Sequence, residues 1–214
     1  MAWTLYSAWR ATAPYRLRIG LALKGVAYDY SPVDLVGGQQ RGEAYRAVNP
    51  QGLTPALDLG DGQVLTQSLA ILEWLEETRP DPPLLPRSAL DRQQVRAMAM
   101  IVACDIHPLN NARVANKLTE LGHDGPQVRA WIQGWIRDGF DALEPMIGRH
   151  GGRFAFGDSP TLADCCLIPQ VYAARRFGLE LSHWPLLAGV ADRAAAHPAF
   201  VAAHPDQQPD AAPT

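Results

Sequence analysis

Thr54-Pro55-Ala56-Leu57-Asp58-Leu59-Gly60-Asp61-Gly62-Gln63-Val64-Leu65 is the stretch whose reading decides the fold. Two short apolar runs flank Gly60-Asp61-Gly62, and Asp-Gly between such runs signals a β-hairpin. Just beyond it, Gln67 to Arg79 takes up a helical period, with Leu69, Leu72 and Leu75 on one face. Strand, strand, helix closes a small α/β unit. Working back from it, Gln40 to Val48 reads as a short helix stopped by Asn49-Pro50. Tyr28 to Val33 alternates like a strand, Ala13 to Lys24 has helical spacing with Gly25 as its stop signal, and Trp3 to Ser7 is a first strand. The order βαβαββα over residues 1–80 predicts a thioredoxin-like domain. Thr54-Pro55 opens its third strand and is a cis-proline candidate, although most such bonds are trans.

Working forward, Pro80-Asp81-Pro82-Pro83-Leu84-Leu85-Pro86 changes the character of the chain, and residues 81–88 read as a semi-rigid linker. No convincing strand follows, so 89–214 is expected to be all-helical. Asp91 to Ile106 aligns Val95, Met98 and Val102. Gln127 to Ile147 places Val128, Trp131, Ile132, Trp135 and Ile136 on one stripe. Thr161-Leu162-Ala163-Asp164 has the form of a capping box before another apolar run. Trp184 to Ala196 is a last major helix, and the polar, proline-rich tail from Pro205 to Thr214 is expected to lie on the surface or fray. The fold class is therefore α/β followed by all-α.

Composition narrows the function. The 214 residues are 47% hydrophobic and 19% charged, with 19 Lys plus Arg against 22 Asp plus Glu and a net charge of -3. That is a globular composition without the basic field that nucleic acid or an anionic membrane calls for. No apolar run is long enough to span a bilayer, and the N-terminus reads as a strand rather than a leader, so no membrane association is expected. Cys104, Cys165 and Cys166 suggest neither a disulfide framework nor a zinc site. A soluble protein of the reducing cytoplasm, without metal, is the expectation.

The chemistry gathers at two helix starts. Tyr6-Ser7-Ala8-Trp9-Arg10-Ala11-Thr12-Ala13-Pro14 runs from a strand through a short loop into a helix. A helix N-terminus offers free N–H groups and a positive dipole end, and so stabilises an anion such as a thiolate. Thr12 either donates its hydroxyl to that anion or caps the helix. Ser68, at the start of a later helix, has the plain reading of a cap.

These residues sit in motifs that carry a family likeness. They are Trp9-Arg10 through Arg16-Leu17-Arg18-Ile19, Leu23-Lys24-Gly25, Asn49-Pro50-Gln51-Gly52, Thr54-Pro55-Ala56-Leu57 and Leu65-Thr66-Gln67-Ser68. In the second half stand Cys104-Asp105-Ile106-His107-Pro108-Leu109-Asn110-Asn111, Thr161-Leu162-Ala163-Asp164, Pro169-Gln170-Val171, Arg175-Arg176-Phe177 and Gln208-Pro209-Asp210. In order and register the chain resembles the zeta class of glutathione transferases, the class of the maleylacetoacetate and maleylpyruvate isomerases.

The resemblance implies a glutathione-dependent cis–trans isomerase working as a homodimer on a small dicarboxylate. A thiolate adding to the conjugated double bond makes it rotatable, and expulsion of the thiolate after rotation leaves the trans acid. It implies that Gln67 and Ser68 hold the γ-glutamyl end of glutathione, and that Gln51, Thr54 and Pro55 hold its cysteinyl part. His107 and Asn111 would close over the peptide, although a lone His is more often structural. Arg10, Arg176 and more weakly Arg113 would take the acceptor's carboxylates, although most of the 17 arginines must be surface residues. One departure stands out. The serine that the family usually credits with activating glutathione is here Ala11, so Thr12, with Arg10 beside it, is left as the catalytic candidate. Two other readings remain: a broad transferase acting on small electrophiles or α-halo acids, and a glutathione-binding module with little catalysis.

Overall fold

A computed structural model describes residues 2–211. The chain forms two compact units, one of residues up to Leu84 together with those from His197 onward, the other Leu85–Ala196.

In the first unit, strand β1 (Thr4–Ser7) leads into helix α1 (Thr12–Leu23), strand β2 (Asp29–Pro32) and helix α2 (Glu43–Val48). Strands β3 (Ala56–Asp58) and β4 (Val64–Thr66) then precede helix α3 (Ser68–Thr78). The sheet order is β2-β1-β3-β4. The β1–β2 pair is parallel because α1 carries the chain across, while β3 runs antiparallel to both β1 and β4. The register sets Leu5 opposite Leu57, and Leu57 opposite Leu65. The hairpin lies where the Asp-Gly signal put it, with Gly60 and Gly62 at positive φ and Leu59 N–H donating to Gln63 O at 3.0 Å. Helix α1 is buried from Pro14 to Leu21 and packs on α3 through Gly20, where an added Cβ would run into Leu72.

The second unit begins with α4 (Ala89–Met100), continued by a π-helical turn at Ile101–Ile106. The single helix expected over Asp91 to Ile106 thus changes its hydrogen bonding before its end. Val95, Met98 and Val102 are buried as expected. Helices α5 (Ala112–Glu120), α6 (Gly125–His150), α7 (Leu162–Arg176) and α8 (Pro185–Ala195) follow, α4 packing on α7 and α6 on α8. The buried face of α6 is Ile132, Ile136, Gly139, Phe140, Leu143 and Ile147. Trp131 and Trp135, expected on that stripe, lie beside it in an edge-to-face pair, and Trp131 Nε1 donates to Leu109 O at 2.9 Å. From α6, Glu144 accepts from the first amides of α8, Leu186 and Leu187, at 2.8 and 2.9 Å.

One expectation is corrected. The described part of the tail is neither superficial nor frayed. Helix α9 (Pro198–Ala203) packs on α1, Pro205 and Gln208 are buried, and Asp210 accepts from Trp9 N–H at 3.1 Å and Tyr30 OH at 2.6 Å. Described residues from His197 on therefore group with the sheet, where the sequence had assigned all of 89–214 to the helical domain. Residues 212–214 lie outside the described residues. The proline-rich segment is also fixed. Leu84 is buried, its N–H donates to Glu76 Oε2 at 2.8 Å, and Lys24 Nζ bonds both Glu76 and Pro82 O at 2.7 Å. No described helix is long and apolar enough to cross a membrane.

Candidate functional site

Helix α1 starts one residue earlier than its sequence signal. Ala11 occupies the N-cap position in extended conformation and makes no side-chain cap bond, and Thr12 is the first helical residue. The first donor inside the helix is Tyr15 N–H, to Ala11 O at 3.0 Å. The amides of Thr12 and Ala13 precede it, and Pro14 has none to satisfy. Thr12 is therefore not the cap, which removes the structural duty that competed with the chemical one. The residue that caps, Ala11, has no side-chain oxygen to place over these amides. Arg10 is exposed beside this start, with its guanidinium over the Trp9 ring at 5.2 Å.

The loop before α1 is held from behind. Arg18 is fully buried and donates to Ser7 Oγ at 3.0 Å, Ala8 O at 3.4 Å, Trp9 O at 2.6 Å and Ala203 O at 3.1 Å. Burial lowers its pKa from the ordinary arginine value, and the nearby tyrosines and Asp210 oppose that shift.

Helix α3 repeats the pattern of α1. Gln67 takes the cap position at φ 66, a left-handed conformation rare outside glycine, and makes no side-chain cap bond. Ser68 is the first helical residue rather than the cap, and it is buried. Arg16 Nη1 donates to Ser68 Oγ at 3.1 Å. The Gln67 side chain turns outward, and its Nε2 donates to Gln51 Oε1 at 2.7 Å. Gln51 is itself placed by Asn49, whose Oδ1 accepts Gln51 N–H at 3.1 Å while its Nδ2 bonds Leu53 O at 2.7 Å. Thr54-Pro55 is cis, and the β3 ladder begins directly after it at Ala56. The structure thus brings Gln51, Gln67 and Ser68 into one bonded chain with Arg16, a residue that sequence reasoning had quoted in a motif without giving it a role. Its available signal was an arginine pair, Arg16 and Arg18, inside an otherwise apolar helix.

The second unit holds the other candidates. His107 is half-buried directly after the π-helical turn, its N–H donating to Val102 O at 2.9 Å. Asn111 caps α5, its Oδ1 accepting from Arg113 N–H at 2.9 Å, and Arg113 is exposed in the first turn. Arg176 ends α7, exposed, its guanidinium 5.8 Å from the Tyr172 ring and 5.9 Å from that of Phe177. Gln133 of α6 steadies this terminus by donating to Phe177 O at 2.8 Å. At the other end of α7, Asp164 accepts from Thr161 N–H, Thr161 Oγ1 and Ala155 N–H at 2.8, 3.0 and 2.8 Å. Burial raises its pKa to about 6, against the pull of these donors.

With this geometry in hand, the comparisons are specific. Family models described as the N-terminal and C-terminal domains of glutathione S-transferase match residues 13–78 and 55–202. The chain is 53% identical over 208 residues to a maleylacetoacetate isomerase of Pseudomonas aeruginosa, covering 96% of this chain and 97% of that one. It superposes with a TM-score of 0.95, at 50% identity and covering 98% of this chain and 100% of the other, on a holo maleylpyruvate isomerase described as a bacterial zeta-class glutathione S-transferase. A maleylacetoacetate isomerase from Anaeromyxobacter dehalogenans, with dicarboxyethyl glutathione and citrate bound in its active site, matches with a TM-score of 0.90 at 46% identity, covering 99% and 98% of the two chains.

Proposed function

Because the chain belongs to the glutathione S-transferase family, we propose that it is a zeta-type isomerase: a glutathione-dependent enzyme that converts maleylacetoacetate or maleylpyruvate to its trans isomer. One observation carries this reading. The likeness to isomerases of both acids is full-length, at half or more identity, and so spans both units.

The residues fit glutathione. The start of α1 offers amides without a side-chain cap, as a thiolate requires, and the start of α3 offers a second cationic end, as a carboxylate requires. The bonded Gln51–Gln67 pair and Thr54-Pro55 supply the edge for the peptide. When bound, glutathione supplies a nucleophilic sulfur that makes the acceptor's double bond rotatable. The protein has three tasks around it. Thr12 Oγ1 and the first amides of α1 keep the sulfur ionised. Arg10 neutralises negative charge that develops on the acceptor. Arg176 and Arg113 bind the acceptor's carboxylates, the stacked guanidinium of Arg176 being held as an oriented fork. His107 and Asn111 serve the peptide; Asn111 Oδ1 is committed to its cap, so its Nδ2 is the donor it has to offer.

Ala11 favours a second reading, a glutathione-binding module with little catalysis, since the usual hydroxyl is replaced by a methyl group. A coupled isomerase assay with either maleyl acid decides: the proposal expects turnover that requires glutathione. Glutathione binding without turnover would leave the module, and conjugation of halogenated acids without isomerisation would leave a broad transferase. We also propose a homodimeric, cytoplasmic protein, a reading that follows from the family likeness.

A further inference from the structure

The start of α3 gathers positive charge, from its own leading amides and from a buried arginine. The helix is 11 residues long, has no acidic residue in its first turn, and its cap residue makes no side-chain bond to the leading amides. Into this end comes the Arg16 guanidinium, 3% exposed, bonded through Nη1 to Ser68 Oγ at 3.1 Å. Its Nε and Nη2 are buried and have no acceptor among the described residues. Arg18, two residues along the same helix, is the contrast, since its Nε, Nη1 and Nη2 all find oxygens. A buried cation beside the positive end of a helix is unfavourable alone. The same arrangement becomes favourable once an anion sits at the helix start.

The route to such an anion runs through Ser68. The two unpartnered nitrogens of Arg16 are sealed from solvent, so a ligand does not touch them. The Ser68 hydroxyl has a single proton, and its oxygen already accepts from Arg16. That proton is therefore turned away from the guanidinium and is available to a ligand oxygen. We propose that Arg16 is a positioning residue that makes the start of α3 selective for the α-carboxylate of a γ-glutamyl group. It orients Ser68 Oγ–H outward and sets a fixed buried charge behind the bound anion. The inference rests on the glutathione reading above and assigns that site a residue outside the expected set.

The test is a comparison of two ligands by calorimetry: glutathione, and 4-aminobutyryl-cysteinylglycine, which lacks only the α-carboxylate. Wild type is expected to prefer glutathione. Arg16→Met is expected to weaken glutathione about ten- to a hundredfold, the effect of removing the buried charge behind the anion together with the bond that orients Ser68, while changing the analogue by less than about threefold. Arg16→Lys, which keeps the charge, is expected to retain most of the preference. Ser68→Ala is expected to reduce the preference too, and the double variant to add little to Arg16→Met. Equal weakening of both ligands by Arg16→Met would make the arginine a packing residue and overturn the inference. Should Arg16→Met fail to fold, Ser68→Ala decides alone, and an undiminished preference overturns the inference. Wild type that binds no glutathione would sink the glutathione reading itself, a result distinct from the others.

Discussion

Thr12 Oγ1 stands at the uncapped start of α1, one residue after Ala11. Its side chain makes no hydrogen bond among the described residues, and its position as first helical residue relieves it of capping. It is the one hydroxyl of the Arg10–Ala13 loop, and the account gives it the task of lowering the pKa of the bound thiol. Thr12→Ala should raise that pKa by about one unit, since one charge-assisted bond is worth roughly 1.5 kcal/mol. Titrating thiolate absorbance of bound glutathione in both proteins checks this; superimposable curves would assign the work to the backbone amides alone. At this scale the sequence put each helix start within one residue and left capping open as one reading of Thr12 and of Ser68, whereas the cap positions belong to Ala11 and Gln67. The cause is physical. Both true caps lack a side-chain bond to the helix, so the usual cap chemistry was absent from the residues that perform it.

Among the elements, α7 shows how a local signal and a buried charge interact. The Thr161-x-x-Asp164 spacing announced the helix start, and Asp164 accepts the Thr161 amide as the spacing implies, with the Thr161 hydroxyl donating to the same carboxylate. What the spacing could not show is that Asp164 is fully buried and holds its proton up to about pH 6. The folded pKa exceeds the ordinary carboxylate value, so the group's contribution to stability is fully present below about pH 4 and is lost as pH rises through about 6. Denaturation of wild type and Asp164→Asn across this range should show their stability difference shifting against wild type by roughly 3 kcal/mol, two pKa units' worth. A difference that stays flat with pH would contradict the burial argument. In α6 the period was legible but its phase was not. Ile132 and Ile136 lie in the core, while Trp131 and Trp135 lie beside it, because indole N–H groups need acceptors and Trp131 finds one at Leu109 O.

For the molecule as a whole, the strand and helix order of the first 80 residues was readable because turn chemistry and local period set it. The path of the chain's end was not. Arg18 meets Ala203 across 185 residues of sequence, and Trp9 meets Asp210 across 201, pairings that no local pattern announces. These bonds draw α9 and the described residues after it back to the sheet, behind the loop that leads to Arg10 and Thr12. The candidate site divides in the same way. Gln51, Gln67 and Ser68 became candidates through their motifs, while the buried arginine that joins Ser68 became visible only with its partners in place.

If the sulfur of glutathione itself isomerises the maleyl keto-acid, as proposed, a blocked sulfur abolishes the reaction. S-methylglutathione keeps both carboxylates and the peptide but cannot add to a double bond. Conversion of maleylacetoacetate or maleylpyruvate to the trans acid should be followed with glutathione, with S-methylglutathione and with neither. Turnover is expected with glutathione alone, and S-methylglutathione is expected to inhibit that turnover. Equal rates with the methylated and free thiol, or isomerisation without either, would contradict the proposed role of the sulfur.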